Sequence, residues 1–177
     1  IRKHFGYQVH YALKANSNDR ILRTISQYGY GADCVSGNEI LKALETGFSP
    51  DDIVFAGVGK ADWEIDLALD QDIGFFNCES LSEIEVINER AARKAKTPRI
   101  ALRINPGIDA KTHHYITTGI EENKFGINRE DLPTIVESCK DLKNIQLKGL
   151  HVHIGSQITD LDVFKSLCLR INEMQDF

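Results

Sequence analysis

The sequence predicts an α/β fold: a (β/α)8 TIM-type barrel, of which about six strand-helix units are present. Three features lead there. Short apolar runs recur along the chain, an amphipathic helical pattern follows almost every one, and each run gathers its polar residues on one face toward its C-terminal end.

The strand candidates are residues 8–13, 30–35, 53–57, 73–78, 99–104 and 147–154. A helix over 18–28 follows the first, with Ile21, Leu22, Ile25 and Tyr28 at helical spacing before Gly29 stops it. Ser36-Gly-Asn-Glu39 is a capping box opening a second helix, which carries Ile40, Ala43 and Leu44 and ends at Gly47. Residues 62–69 supply a third helix, and a second capping box, Ser80-Leu-Ser-Glu83, opens a fourth that runs to about Ala95. Residues 132–142 form a fifth, and Thr159-Asp-Leu-Asp162 starts the last. The first four units repeat at a period of roughly 21 to 23 residues, the length of one strand, one helix and short loops. No consensus is shared between units, which argues against a solenoid. Residues 105–128 are the one long irregular stretch, and loops of that length in compact domains are usually functional or disordered. Nothing resembling a linker divides residues 1–177, which read as one domain.

Side chains alternate faces along a strand, so polar residues sort by parity. His10, Ala12 and Lys14 share one face of the first strand. Asp33 opposes Ala32 and Cys34; Asn77 and Glu79 lie on the polar face of the fourth strand; Arg103 opposes Leu102 and Ile104; His151 and His153 oppose Leu150, Val152 and Ile154. An open sheet with helices on both faces calls for continuous apolar runs. A barrel covers only the outer face with helices and opens its active site at the C-terminal mouth, which suits this pattern better. Six strands are two short of closure, and the chain starts without Met and ends inside a helical pattern. A piece of a longer protein is therefore expected.

Composition excludes several classes. A hydrophobic content of 42 % supports a packed core, and a net charge of −5 offers no basic field for nucleic acid or an anionic membrane. No window approaches the ~18 uninterrupted apolar residues that a membrane span requires. Cys34, Cys78, Cys139 and Cys168 form no C-x-x-C pair, so reduced thiols in a cytoplasmic protein are expected rather than a zinc or disulfide framework.

Among the polar residues, Lys14 is either a strand-end lysine reaching solvent or an amine nucleophile that burial would activate. His151 and His153, two apart at one strand end, suit a metal pair, or His153 suits stacking on an aromatic cofactor whose phosphate meets Gly155 and Ser156. Asp33 and Arg103 face the same lumen, as a structural ion pair or as site residues. His113, His114 and Lys124 lie in the long loop.

Read in order, "YALKANSN", "GADCVSGNEI", "IVFAGVGK", "FFNCES", "LRINPGIDAKTHHYITTGIEENKFGI" and "GLHVHIGSQITD" closely resemble the diaminopimelate decarboxylases. These belong to the fold-type III pyridoxal-phosphate decarboxylases, which are related to alanine racemase. The resemblance covers essentially the whole chain. It implies that Lys14 is the Schiff-base lysine, that His153 stacks on the pyridine ring, that Gly155 and Ser156 lie near the phosphate, and that Asp33 and Arg103 line the pocket. It places His113 in a segment over the active site. The implied reaction converts meso-diaminopimelate to L-lysine and CO₂ in a cytoplasmic homodimer. The family's later motifs and its C-terminal β domain are absent from residues 1–177, so this polypeptide alone is expected to have little or no activity. A decarboxylase of arginine, ornithine or carboxynorspermidine is the nearest alternative. From another class, a metal-dependent barrel hydrolase would use His151 and His153.

Overall fold

A computed structural model describes residues 6–107, 125–156 and 158–175. Six strands, β1 (His10–Ala12), β2 (Gly31–Cys34), β3 (Ile53–Phe55), β4 (Phe75–Cys78), β5 (Arg99–Arg103) and β6 (Gln146–His151), form one sheet in sequence order. Every pairing is parallel. The helices between and after them are α1 (Asp19–Gln27), α2 (Gly37–Glu45), α3 (Asp62–Asp70), α4 (Leu81–Arg93), α5 (Leu132–Asp141) and α6 (Leu161–Gln175). Sequential order is the decisive feature. Right-handed crossovers between successive neighbours lay every helix on the same side, whereas a doubly wound sheet reverses at a switch point. The sheet is thus the wall of an incomplete TIM-type barrel, as the polar parity of the strands predicts.

The outer face carries the core. Phe55, Phe76, Ile100 and Leu102 are at most 1 % exposed, and they meet helix residues such as Leu22, Ile40, Ile84 and Ile87, all fully buried. The Phe55 and Phe76 rings lie 6.1 Å apart in a tilted arrangement, within the favourable range for aromatic pairs. Cys34, Cys78 and Cys139 are buried free thiols in this layer and Cys168 is an exposed one.

Both predicted capping boxes form, with one difference. Ser36 Oγ accepts from Glu39 N and Ser80 Oγ from Glu83 N, each at 3.2 Å. The glutamates, however, reach one residue beyond the cap: Val35 N donates to Glu39 Oε2 and Glu79 N to Glu83 Oε2, each at 2.7 Å. These are the first N–H groups past β2 and β4, free of the sheet ladder, and the carboxylates satisfy them. Gly29 and Gly47 follow α1 and α2 in the left-handed region, at φ 75° and 93°, as helix-ending glycines do.

The strands are shorter than the apolar runs, and two boundaries bear on the site. β1 ends at Ala12, so Lys14 stands on a 3₁₀ turn, Leu13–Ala15, rather than on the strand. Asx turns explain the early break: Asn18 N donates to Asn16 Oδ1 and Arg20 N to Asn18 Oδ1, each at 3.0 Å, starting α1 at once. β6 begins at Gln146 and ends at His151, leaving His153 on the loop beyond it. Its register slips against β5 between Ile100–Leu147 and Ala101–Gly149, so Lys148 has no counterpart.

Leu102→Ala is expected to cost about 2–5 kcal/mol of stability, because Leu102 is fully buried between the sheet and the helices. A shift in the urea midpoint at constant slope measures it, and a cost under about 0.5 kcal/mol would contradict this description of the core.

Candidate active site at the strand C-termini

The inner face turns polar where the strands end. Ala12, Asp33, Val54 and Phe75 form one row across β1–β4 by register. His10 lies below Asp33 on the same face, its ring over Gly31, where a Cβ would fall 2.3 Å from a ring carbon. Burial pushes the Asp33 carboxyl above the usual carboxylate range, Lys14 and His10 pull it back, Glu39 adds to the rise, and His153 opposes it. The charges of Lys14, His10 and His153 thus reach Asp33, Lys14 from the turn after β1 and His153 from the loop after β6 rather than from the strands themselves. Lys14 itself is exposed. The expectation that burial in a lumen would activate it finds no support in the described residues.

A second group sits across β4–β6. Arg103 and His151 are register partners, and Asn77 faces Ala101, so Glu79, two residues on, comes level with Arg103. Arg103 Nη1 donates to Glu79 Oε1 at 2.6 Å, with side chains 14 % and 6 % exposed. The guanidinium lies over the Phe125 ring at 5.7 Å, within cation–π reach. Phe125 is held there by the chain that returns alongside β5: Ile127 N donates to Arg103 O at 2.8 Å and Asn105 N to Ile127 O at 2.9 Å. Between them Gly126 has φ 82°, and a Cβ would lie 2.8 Å from the Arg103 carbonyl. Only glycine combines that conformation with that approach.

His151 joins the two groups. Burial first, then the charges of Arg103, His153 and Lys60, lower its pKa to about 4, so its imidazole is neutral at pH 7. His153, exposed, follows on the loop; Gly155 at φ 119° and exposed Ser156 come next, five residues before α6 begins. His113 lies outside the described residues.

Sequence reasoning missed Lys60. Its side chain is 1 % exposed, and the ammonium donates to the carbonyls of Gly57 and Asn77, both at 2.9 Å, and to Glu83 Oε1 at 2.5 Å. A lysine after a Gly-Val-Gly turn reads as surface; only the three acceptors around it make burial tolerable. Glu79 was legible as an inward residue by parity, but not as the partner of Arg103.

Depression of the His151 pKa has a definite sign. The unfolded chain binds a proton near pH 6.5 and the folded chain only near 4. Stability from this group is therefore full above about pH 6.5 and is lost as pH falls toward 4. Imidazole NMR titration is expected to give a midpoint near 4 for His151; one above about 6 would contradict the buried, cation-flanked placement.

The pyridoxal-dependent decarboxylase family, in its pyridoxal binding domain, matches residues 1–176. The chain is 53 % identical over 176 residues to a diaminopimelate decarboxylase of Bacteroides thetaiotaomicron, covering 99 % of this chain and 46 % of that protein. It superposes with TM-score 0.89 on the crystal structure of diaminopimelate decarboxylase from Helicobacter pylori complexed with L-lysine, at 42 % identity, covering 96 % of this chain and 43 % of that one. With the arginine decarboxylase of Paramecium bursaria Chlorella virus the TM-score is 0.78 at 25 % identity, over 96 % of this chain and 43 % of that one. The chain thus spans about half the length of the relatives it matches. The metal-hydrolase alternative gives way to this match, and among the described residues no three His, Cys, Asp or Glu side chains gather as a metal site. The sequential parallel sheet, its polar mouth and these matches identify the chain as a member of the pyridoxal-dependent decarboxylase family, spanning its pyridoxal binding domain.

Proposed function

We propose that this chain is the cofactor-holding part of a decarboxylase that converts meso-diaminopimelate to L-lysine and CO₂. The observation that carries the reading is the position of Lys14, Asp33 and His153 at the C-terminal ends of β1, β2 and β6 in a chain from this family. The substrate rests on relatives named diaminopimelate decarboxylase at 43–53 % identity and on one crystallised with L-lysine. The arginine decarboxylase likeness is much weaker in sequence, at 25 %.

The donor set fits pyridoxal phosphate. An exposed primary amine at the mouth suits its aldehyde, the exposed imidazole of His153 suits a flat ring, and a glycine at positive φ beside a serine hydroxyl suits close approach of a phosphate. Lys14 would hold the cofactor covalently, with His153 against the ring, Gly155 and Ser156 toward the phosphate, and Asp33 and Arg103 lining the pocket. His113 belongs to the same reading as a residue of the loop over the site. Bound there, the cofactor supplies an electron sink for the electrons left when CO₂ departs. The residues of this chain orient it. Burial makes Asp33 readier than an ordinary carboxyl to hold a proton, and the charge of Lys14 opposes that. Neutral His151 adds no further cation beside Arg103.

The C-terminal β domain known from the family, a homodimeric assembly and a cytoplasmic location complete the proposal. No described helix is long and apolar enough to cross a membrane.

In the full-length protein, Lys14→Ala is expected to abolish both lysine formation and the visible absorption of lysine-bound cofactor. A variant that keeps that band removes Lys14 from its role. Faster turnover of arginine or ornithine than of diaminopimelate by the parent enzyme overturns the substrate.

A further inference from the structure

Two buried polar atoms at the mouth lack hydrogen-bond partners among the described residues, Glu79 Oε2 and His151 Nδ1. They flank Arg103, one on each side. Glu79 is only 8 % exposed, and a buried carboxylate oxygen left without a donor is costly unless the residue serves something else. Its other oxygen holds Arg103 Nη1 at 2.6 Å. A guanidinium is a rigid planar fork. With one branch fixed by Glu79 and one face on Phe125, its orientation is set before any ligand arrives.

Glu79 is anchored in turn. Its N–H donates to Glu83 Oε2 at 2.7 Å, Glu83 Oε1 accepts from Lys60 at 2.5 Å, and Lys60 clasps the carbonyls of Gly57 and Asn77. A continuous run, Lys60–Glu83–Glu79–Arg103, thus crosses the ends of β3, β4 and β5, with two cations balancing two carboxylates. The Glu79 N–H contact is the cap that α2 and α3 also make; what sets this pair apart is the spare buried oxygen, which an ion pair serving stability alone does not call for.

We propose that Glu79 is a positioning residue that aims the Arg103 guanidinium at the cofactor, with Glu83 and Lys60 fixing the strand end from which Glu79 projects. The proposal rests on the placement of Arg103 at the cofactor given above and deepens it.

The test is a double-mutant cycle on cofactor binding, with full-length apoprotein titrated with pyridoxal phosphate and melting temperatures recorded for each variant. Glu79→Gln keeps the shape and removes the charge; Arg103→Lys removes the fork. Each is expected to weaken binding ~10- to 100-fold, the scale of a charge-assisted contact, and the double variant to bind no more weakly than the worse single one. Near-parental affinity of Glu79→Gln overturns the proposal. Losses that multiply in the double variant do the same, as does a lowered melting temperature with binding by the folded protein intact. If Arg103→Lys alone binds like the parent, the placement of Arg103 falls and the proposal with it. If Arg103→Lys is impaired and Glu79→Gln is not, only the role of Glu79 falls. Should Glu79→Gln not fold, Glu83→Gln loosens the anchor while leaving the pair intact, and the same cycle with Arg103→Lys decides.

Discussion

The described helices lie on one side of this sheet, and the rest of the structure follows from that constraint. Sequential parallel strands give each crossover the same hand and the same side. Every second residue of every strand must then be apolar, because a charge on the helix side would be buried with nothing to pair it. The other half of each strand is released from that demand. Asp33, Asn77, Glu79, Arg103 and His151 all occupy positions on the released face or its continuation, while Ala32, Cys34, Phe76 and Leu102 keep the helix face dry.

The joints between strand and helix do two jobs. A glutamate stands in the first turn of α2, α3 and α4, and in each case its carboxylate takes an N–H that neither strand nor helix satisfies: Glu39 from Val35, Glu64 from Ala61, Glu83 from Glu79. Such caps are helped by the positive end of the helix dipole. Two of them also reach their neighbours. Glu64 Oε1 accepts from Gly37 N at 2.7 Å, tying α3 to the start of α2, and Glu83 holds Lys60. The local devices that end strands and begin helices thereby also fix the rim on which the site stands.

Much of this was legible in the sequence. Periodicity located the six strands and six helices of the described residues, since 3.6- and 2-residue patterns register burial directly, and the capping serines marked two helix starts to the residue. Parity put Asp33 and Arg103 on the inner face of their strands; Lys14 and His153 were read as strand residues but stand on the turn and the loop just beyond. Finer placement was not legible. Alternation cannot announce that β1 stops at Ala12, because the Asx turns of Asn16 and Asn18 compete with the strand for the same backbone. The register slip at Lys148 leaves no mark on an apolar run. Lys60 was unreadable for a different reason: burial of its ammonium depends, besides the nearby Gly57 carbonyl, on the Asn77 carbonyl and the Glu83 carboxylate brought from β4 and α4, and no short window of sequence contains those two.

The charges at the mouth explain how so many ionisable groups share a small space. Burial, then the nearby charges of Arg103, His153 and Lys60, disfavours a proton on His151, and its depressed pKa is the expression of that. Lysines and arginines hold their charge across the physiological range, but an imidazole does not. The Glu79–Arg103 pair therefore keeps its charge and its geometry, while the imidazole one strand away stays uncharged.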